Sequence, residues 1–391
     1  MSSRPRLLFL VTEDWYFCSH RLPLAVAARD AGYDVSVATR VSEHGGTIRE
    51  AGIGLFPIAL SRRSLNPLRE LRALMELVRL YRRVQPDLVH HVAVKPVIYG
   101  SIAARLTGVP WVINALTGLG YVFTSTGPAA RFTRPILKRV LRYLVDRTNT
   151  RFIVQNQDDL ALLLRERLVD PARAVLIRGS GVDLALYGVE PEPPGPPLVI
   201  LPARMLRHKG VREFVEAAQR LKTEGIAARF ALVGGPDAAN PASIHETTLR
   251  AWANSGAVEY WGWRDHMARV LAQCHVVCLP SYREGLPKAL IEAAACGRAI
   301  VTCDVPGCRE VVHPADRVLL VPPRDSTALA AALRRLIESP SLRQATGKRN
   351  RERAAAEFSV ERVVEATLVL YHQLAATHVS AQDRKAIRLG Q

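Results

Sequence analysis

Along its first half the chain alternates short apolar runs with amphipathic stretches. Residues 6–11, 34–39, 87–91 and 110–115 have the length and composition of buried strands. Residues 21–31 and 69–84 carry apolar positions at helical spacing, the first closed by Gly32 and the second ending before Pro86. Such alternation predicts a parallel sheet with helices on its faces. Ligands of these sheets gather at the carboxyl ends of the strands, which places the loops expected to start at Thr12, His91 and Leu116 around one crevice.

The stretch 186–197, LYGVEPEPPGPP, cannot hold a helix or a central strand, because proline lacks an amide donor and fixes its own φ. It predicts a domain linker. Beyond it a second series begins, with strands at 198–203, 229–233, 258–262, 275–280, 299–304 and 318–321 and helices at 211–222, 265–274 and 287–296. The length, 391 residues, suits two such domains. The expected fold is α/β, two Rossmann-like doubly wound domains facing each other across a cleft, residues 1–188 and 189–358. The remainder, 359–391, is expected to add a helix over 360–376 that packs back toward the first domain, then a frayed tail.

Charge and cysteine usage narrow the setting. The net charge is +17, of which residues 1–190 supply +10, from 26 Lys and Arg against 16 Asp and Glu. Nucleic acid, anionic lipid and nucleotide diphosphates would all be attracted, so charge alone does not choose a partner. No run approaches the roughly 18 apolar residues of a membrane span, and the chain is expected to be cytoplasmic. The six cysteines form no CxxC pair and read as small core residues in a reducing compartment; no metal site is expected.

Chemistry concentrates in residues 282–297, YREGLPKALIEAAACG, where a loop follows a buried strand and opens a helix. A helix start offers unpaired amides and the positive end of a dipole, a cradle for phosphate, and Pro287 suits a first helical turn. On spacing alone, Glu284 and Glu292 describe a solvated helix face. Their setting says more. Glu284, Gly285, Pro287, Glu292, Ala293, Ala295 and Gly297 resemble the E-x7-E signature of the retaining glycosyltransferases of GT-B fold, glycosyltransferase family four. The resemblance implies that Glu284 contacts hydroxyls of a donor sugar and that Glu292 accepts hydrogen bonds from the ribose. Amides at Gly285 and Leu286 would meet the diphosphate or the sugar.

Residues 203–213, ARMLRHKGVRE, follow the first strand of the second series, and Arg204 and Lys209 resemble an arginine and a lysine that the family carries five residues apart. That likeness implies that both clamp the donor diphosphate. Negative charge grows on this leaving group as the glycosidic bond breaks, and two fixed cations can stabilise it without a metal. ALVGGPDA at 231–238, with Gly234 at its strand end, and YWGWRDHM at 260–267 resemble the segments whose backbone receives the base. Trp261 and Trp263 read as core or pocket wall.

In the first half, residues 19–39 and 87–123 resemble more loosely the branch that builds bacterial capsule, O-antigen and lipid-linked glycans, including N-acetylgalactosaminyltransferases acting on undecaprenyl diphosphate sugars. Two departures stand out. TEDWYFCSH at 12–20 lacks the family's glycine pair, and Thr117 before Gly118 replaces its histidine, so the histidine contact to the donor sugar is not carried over. His20, His90, Lys95 and Thr117 are the candidates for an acceptor cleft, although a lone strand-end histidine such as His90 is at least as often structural.

Basic residues cluster twice in this half: residues 62–83 hold seven arginines against two glutamates, and residues 131–151 hold seven Lys or Arg against Asp146. The second cluster interleaves Phe132, Ile136, Leu137, Val140, Leu141 and Leu144 with its cations. A basic amphipathic helix can lie in a membrane interface, or simply rest its apolar side on the domain core.

The expectation is therefore a metal-independent, retaining glycosyltransferase without cofactor, peripheral on the inner face of the cytoplasmic membrane. It would move a hexosyl or N-acetylhexosaminyl group from a UDP-sugar to a polyisoprenyl (undecaprenyl) diphosphate-linked saccharide. A UDP-sugar 2-epimerase of the same shape would instead turn over UDP-sugar without an acceptor. A basic nucleic-acid-binding protein would interleave aromatics with its cations, and aromatics make up only 6% of this chain. A nicotinamide oxidoreductase lacks its G-x-G-x-x-G after the first strand.

Overall fold

The computed structural model describes residues 4–61, 66–118, 128–145, 147–238 and 240–389. Two compact units emerge, Met1–Ser180 with Glu361–Gln391, and Gly181–Val360.

Unit 1 runs β1 (Arg6–Glu13), α1 (Asp14–His20), α2 (Leu22–Asp30), β2 (Asp34–Arg40), α3 (Gly45–Glu50), β3 (Gly54–Pro57), α4 (Pro67–Val84), β4 (Leu88–Val92) and α5 (Val94–Thr107). It continues through β5 (Trp111–Leu116), α6 (Pro128–Val140) with a π-helical turn over Leu141–Val145, β6 (Thr150–Val154), α7 (Gln157–Arg165) and β7 (Ala174–Leu176). Among the described residues these strands form one sheet in the order β3-β2-β1-β4-β5-β6-β7. All pairs are parallel, with Leu8 opposite Ser36 on one side and Val89 on the other.

Alternation along β1 assigns the two faces. Leu7, Phe9 and Val11 enter a core with Leu24, Ala25 and Ala28 of α2, while Leu8 and Leu10 meet Ala73, Leu77, Leu80 and Tyr81 of α4. Helix α4 is fixed at both ends: the Asn66 side chain accepts from the amides of Leu68 and Arg69, Pro67 occupies the first turn, and Gln85 turns left-handed before Pro86.

Several expectations for this half are corrected. No loop follows β1, because the buried Asp14 carboxylate starts α1 at once, accepting from the Ser42 amide (2.6 Å), Ser42 Oγ (2.6 Å) and the His44 amide (3.0 Å). Burial alone would raise the Asp14 pKa, but these donors outweigh it and hold it below the usual value. Strands β3, β6 and β7 and helix α5 were not read from the sequence, since short edge strands and a helix apolar nearly all round show no clean period. The apolar positions of 131–151 divide: Leu137, Leu141 and Val145 pack with Val97, Leu116 and Phe152 in the core, while Ile136 faces out. The Phe132 and Leu144 side chains and Asp146 lie outside the described residues.

Unit 2 contains β8 (Leu198–Pro202), α8 (Val211–Thr223), β9 (Arg229–Val233), α9 (Glu246–Asn254), β10 (Glu259–Gly262), α10 (Met267–Ala272), β11 (Val276–Leu279), α11 (Lys288–Ala295), β12 (Ala299–Cys303), β13 (Leu320–Val321), α12 (Ser326–Glu338) and α13 (Pro340–Arg353). Its described strands form a parallel sheet in the order β10-β9-β8-β11-β12-β13. The order reverses between β8 and β11, a topological switch point at which such sheets bind ligands.

The proline-rich stretch 186–197 holds neither helix nor strand, yet it belongs to unit 2 rather than lying between the units. The Val182 amide donates to the Phe358 carbonyl (2.9 Å), the Val360 amide to the Val182 carbonyl (3.0 Å), and Arg343 holds Glu192 (2.9 Å). The last helix, α14 (Val360–Leu389), runs beyond the expected end at residue 376. Its Val363, Leu370, Tyr371 and Leu374 complete the core that contains Phe9 and Tyr33.

Tyr371 brings a hydroxyl into that core, lying 2.6 Å from His90 Nδ1 in a fully buried setting. Tyr371→Phe should therefore destabilise the protein by about 1–3 kcal/mol by leaving a buried imidazole nitrogen unsatisfied. Tyr371→Ala should cost about 3–5 kcal/mol through the cavity it opens. Urea denaturation of the two variants beside the parent protein measures both.

Candidate functional site

The strongest candidates all lie in unit 2, on the loops that leave the carboxyl ends of its strands beside the switch point. After β8 the chain places Arg204 and then a single 3-10 turn, Arg207–Lys209, ahead of α8. After β11 it places Tyr282, Arg283, Glu284 and Gly285 ahead of α11. The Tyr282 amide donates to the His208 carbonyl (3.0 Å), which ties the two loops together.

Across this junction the Lys209 ammonium pairs with the Glu284 carboxylate, both side chains largely withdrawn from water. Arg204 is held by Asp237, on the loop after β9, at 2.7 Å. His208 senses the whole group: burial lowers its pKa, Lys209 and Arg204 push the same way, and Glu284 opposes them. The imidazole therefore favours its neutral form among two cations and an acid.

Two glycines let the backbones close in. Gly234 has φ +134°, and a Cβ there would overlap the Ala203 carbonyl. Its amide donates to the Gly262 carbonyl (2.8 Å), so the ends of β8, β9 and β10 meet at one point. Gly307, at φ +78°, presses on the carbonyls of Glu284 and Gly285 from the loop after β12. Leu286 is buried, and Pro287 is the residue preceding α11 rather than part of its first turn, as the sequence had suggested.

Glu292 makes its contacts elsewhere. It is 6% exposed on α11, accepts from the Tyr187 hydroxyl (2.8 Å) and lies 3.5 Å from the Lys288 ammonium. Burial raises its pKa, against Lys288 and Tyr187, which lower it. Trp261 packs against the core, whereas Trp263, immediately after β10, is 68% exposed and donates to Asp265 (2.8 Å), so it is not a core residue.

The structure thus joins Arg204, Lys209 and Glu284 in one charged group, with Gly234, Gly285 and Leu286 on the surrounding loops and Glu292 in a second cluster with Tyr187. Sequence reasoning missed Asp237, His208, Tyr187 and Gly307. Asp237 stood inside the ALVGGPDA segment, but nothing local marks an acid as the partner of an arginine 33 positions away.

The candidates in unit 1 fare differently. His90 is fully buried, stacked on Phe9 (5.1 Å) and bonded to Tyr371, with its pKa driven well below the usual histidine value by burial; it is a core histidine and does not line an open cleft. Lys95 is engaged by Glu70 (2.8 Å) and the Ser61 carbonyl (2.6 Å). His20 stacks on Tyr16 (4.1 Å) with Ser19 Oγ 2.6 Å from its Nδ1, and Thr117 is half-buried directly after β5. Among the described residues no three His, Cys, Asp or Glu side chains cluster to hold a metal ion, and no helix is long and apolar enough to cross a membrane.

Residues 196–339 match the family model described as glycosyl transferases group 1, and residues 6–156 match glycosyl transferase 4-like. The chain is 30% identical over 367 residues to the N,N'-diacetylbacillosaminyl-diphospho-undecaprenol alpha-1,3-N-acetylgalactosaminyltransferase of Campylobacter jejuni, covering 90% of this chain and 95% of that protein. It is 25% identical over 353 residues to the UDP-Gal:alpha-D-GlcNAc-diphosphoundecaprenol alpha-1,3-galactosyltransferase of Escherichia coli, covering 87% and 89%. Among solved structures, sucrose-phosphate synthase from Thermosynechococcus elongatus superposes with a TM-score of 0.78 at 23% identity, covering 96% of this chain and all of that one, which shows the GT-B fold.

The raised pKa of Glu292 gives a stability prediction with a definite sign. A carboxyl whose folded pKa exceeds its unfolded value contributes stability that is intact below the unfolded value and lost as pH rises through the folded one. Glu292→Gln removes that loss, so its melting temperature relative to the parent protein should increase from pH 4.5 to pH 8. Thermal melts across that range check it; a difference that does not change with pH would assign the titration to another group.

Proposed function

The chain belongs to the glycosyl transferases of group 1, glycosyltransferase family four, and from that membership we propose that it is a retaining enzyme that moves a sugar from a UDP-sugar to a polyisoprenyl diphosphate-linked saccharide. The observation that carries this reading is the arrangement of Arg204 and Lys209 at the β8/β11 switch point, each held in place by a carboxylate. Cations already positioned need no reorganisation when a nucleotide diphosphate departs, which is where such an arrangement lowers a barrier.

In this reading Arg204 and Lys209 bind the diphosphate, and the start of α11 with the amides of Gly285 and Leu286 receives the phosphate or sugar. Lys209 turns from Glu284 to phosphate as the donor enters, and Glu284 is released to accept from sugar hydroxyls. Glu292 accepts from the ribose, and the loop at Gly234 receives the base. The acceptor hydroxyl attacks from the face the diphosphate leaves, so configuration is retained, and a leaving phosphate oxygen takes the hydroxyl proton. No protein nucleophile and no metal is assigned a step.

The donor class is supported by the E. coli relative, named for UDP-Gal, and the acceptor class by both relatives, whose names carry a diphosphoundecaprenol acceptor. An acceptor of that kind resides in a bilayer, which supports a peripheral location on the inner face of the cytoplasmic membrane. Donor supply and transfer then share one compartment.

The test is sugar transfer from UDP-GalNAc, UDP-Gal or UDP-GlcNAc to a polyisoprenyl diphosphate-linked acetamido sugar. Lys209→Ala and Glu284→Ala should each lower kcat/KM by about 10²–10³ or more, with cooperative thermal melts preserved. A fully active Lys209→Ala enzyme would overturn the clamp. Consumption of UDP-sugar at the same rate without acceptor would favour a 2-epimerase.

A further inference from the structure

Three arginines are buried among the described residues, and two of them are matched. Arg298 donates to the Leu271 (2.9 Å) and Ala272 (3.1 Å) carbonyls, and Arg343 holds Glu192 and donates to the Leu336 (2.7 Å) and Ile337 (3.0 Å) carbonyls. The third, Arg21, is 4% exposed, and its side chain makes no hydrogen bond or ion pair with any described residue. Its Nε is buried without a partner.

Arg21 stands between α1 and α2 as the N-cap residue of α2. Helix α2 leads back to the start of β2, so its own start lies toward the carboxyl ends of the strands, the side at which such sheets take ligands. The guanidinium is near enough to the buried His90–Tyr371 pair to act on both. After burial it is the next cause of the low His90 pKa, and it opposes the effect of burial on Tyr371. Neither residue can neutralise it: His90 is held uncharged, and its Nε2 is also buried without a partner. The buried carboxylates of unit 1 are committed elsewhere, Glu13 to Arg40 (2.9 Å), Asp14 to Ser42 and His44, and Asp159 to Asn156 (3.0 Å).

A cation withdrawn from water without a counter-charge destabilises the fold, and a bound anion relieves it. In the proposed reaction the donor diphosphate is held in unit 2 by Arg204 and Lys209. The other anionic group is the diphosphate of the acceptor; the saccharide is neutral and would leave the charge uncompensated. We propose that Arg21 is the acceptor-diphosphate site of unit 1, its planar fork of N–H groups donating to phosphate oxygens. The identity of the anion rests on the lipid-linked acceptor reading. Nothing local in the sequence marks Arg21 among the basic residues of the first half, because what distinguishes it is burial without a carboxylate.

The experiment compares two acceptors that carry the same acetamido sugar, one on a short polyisoprenyl diphosphate and one as a neutral octyl glycoside. The parent protein should prefer the diphosphate acceptor, and Arg21→Met should lower the ratio of the two kcat/KM values by about 10–100-fold, chiefly through the KM of the diphosphate acceptor. Arg21→Lys should recover part of that ratio. Because Arg21→Met removes an uncompensated charge, it should melt at or above the parent's temperature. A second readout needs no turnover: with UDP at saturation, geranyl diphosphate should raise the melting temperature of the parent protein and not that of Arg21→Met. Equal use of both acceptors by the parent, or a preference that Arg21→Met retains, overturns the site. So does geranyl diphosphate that stabilises parent and variant alike, and a melting temperature of Arg21→Met well below the parent's would make Arg21 a packing residue and overturn it too. A parent protein that binds geranyl diphosphate through Arg21 yet transfers sugar to neither acceptor overturns the transfer reading and leaves the anion site standing.

Discussion

An ammonium and a carboxylate taken largely out of water must find each other, and Lys209 and Glu284 do so between the loops that leave β8 and β11. Removing either partner would strand a charge, so the pair fixes the spacing of the two loops as firmly as the Tyr282–His208 backbone bond beside it. That constraint explains the local sequence. The loop after β12 must approach the Glu284 and Gly285 carbonyls without a side chain, which Gly307 allows, and the loop after β9 must bring Asp237 to Arg204. The charged group at this junction is thus built as neutralised pairs, Arg204 with Asp237 and Lys209 with Glu284.

Glu292 shows the opposite economy. Its carboxylate is buried deeply enough that burial outweighs both Lys288 and the Tyr187 hydroxyl, so the fold carries an acid that would be easier to ionise in water. Tyr187 lies in the proline-rich stretch of unit 2, and Arg351 binds the Tyr187 carbonyl (2.9 Å) and the Ala295 carbonyl (2.6 Å), clamping that stretch against α11. The result is an acid that the fold bears at a cost to stability and holds in one orientation.

Much of this is legible in the sequence. The two series of strands and helices and the second set of strand positions follow from apolar runs, because buried parallel strands are continuous in sequence, while the family came from the resemblance of the Glu284-to-Gly297 segment. What escaped was long-range or masked by composition. Asp237 and Tyr187 act on residues far along the chain, α5 is too uniformly apolar to show a period, and Asp14 draws its partners from the turn after β2. The unit boundary moved from the prolines to Gly181 because Val182 pairs with the segment before α14, a contact that spans most of unit 2. His90 was ambiguous for the same reason: its role is decided by Tyr371, 281 positions away.

A net charge of +17 says nothing about how cations are used, and this chain uses them in two ways. In unit 2 the informative ones are matched at short range, Arg204 with Asp237, Lys209 with Glu284, Arg349 with Asp316 and Arg343 with Glu192, and several of these are shielded from solvent. On the outer face of α4, arginines instead stand exposed beside leucines. Solvent ions screen exposed charges beyond about 8 Å at physiological ionic strength but reach buried pairs far less. The same excess of positive charge therefore yields one set of interactions that salt leaves nearly untouched and another that salt weakens. Only the second depends on what lies across the solvent from it, and this is why composition pointed to an anionic partner without being able to say which.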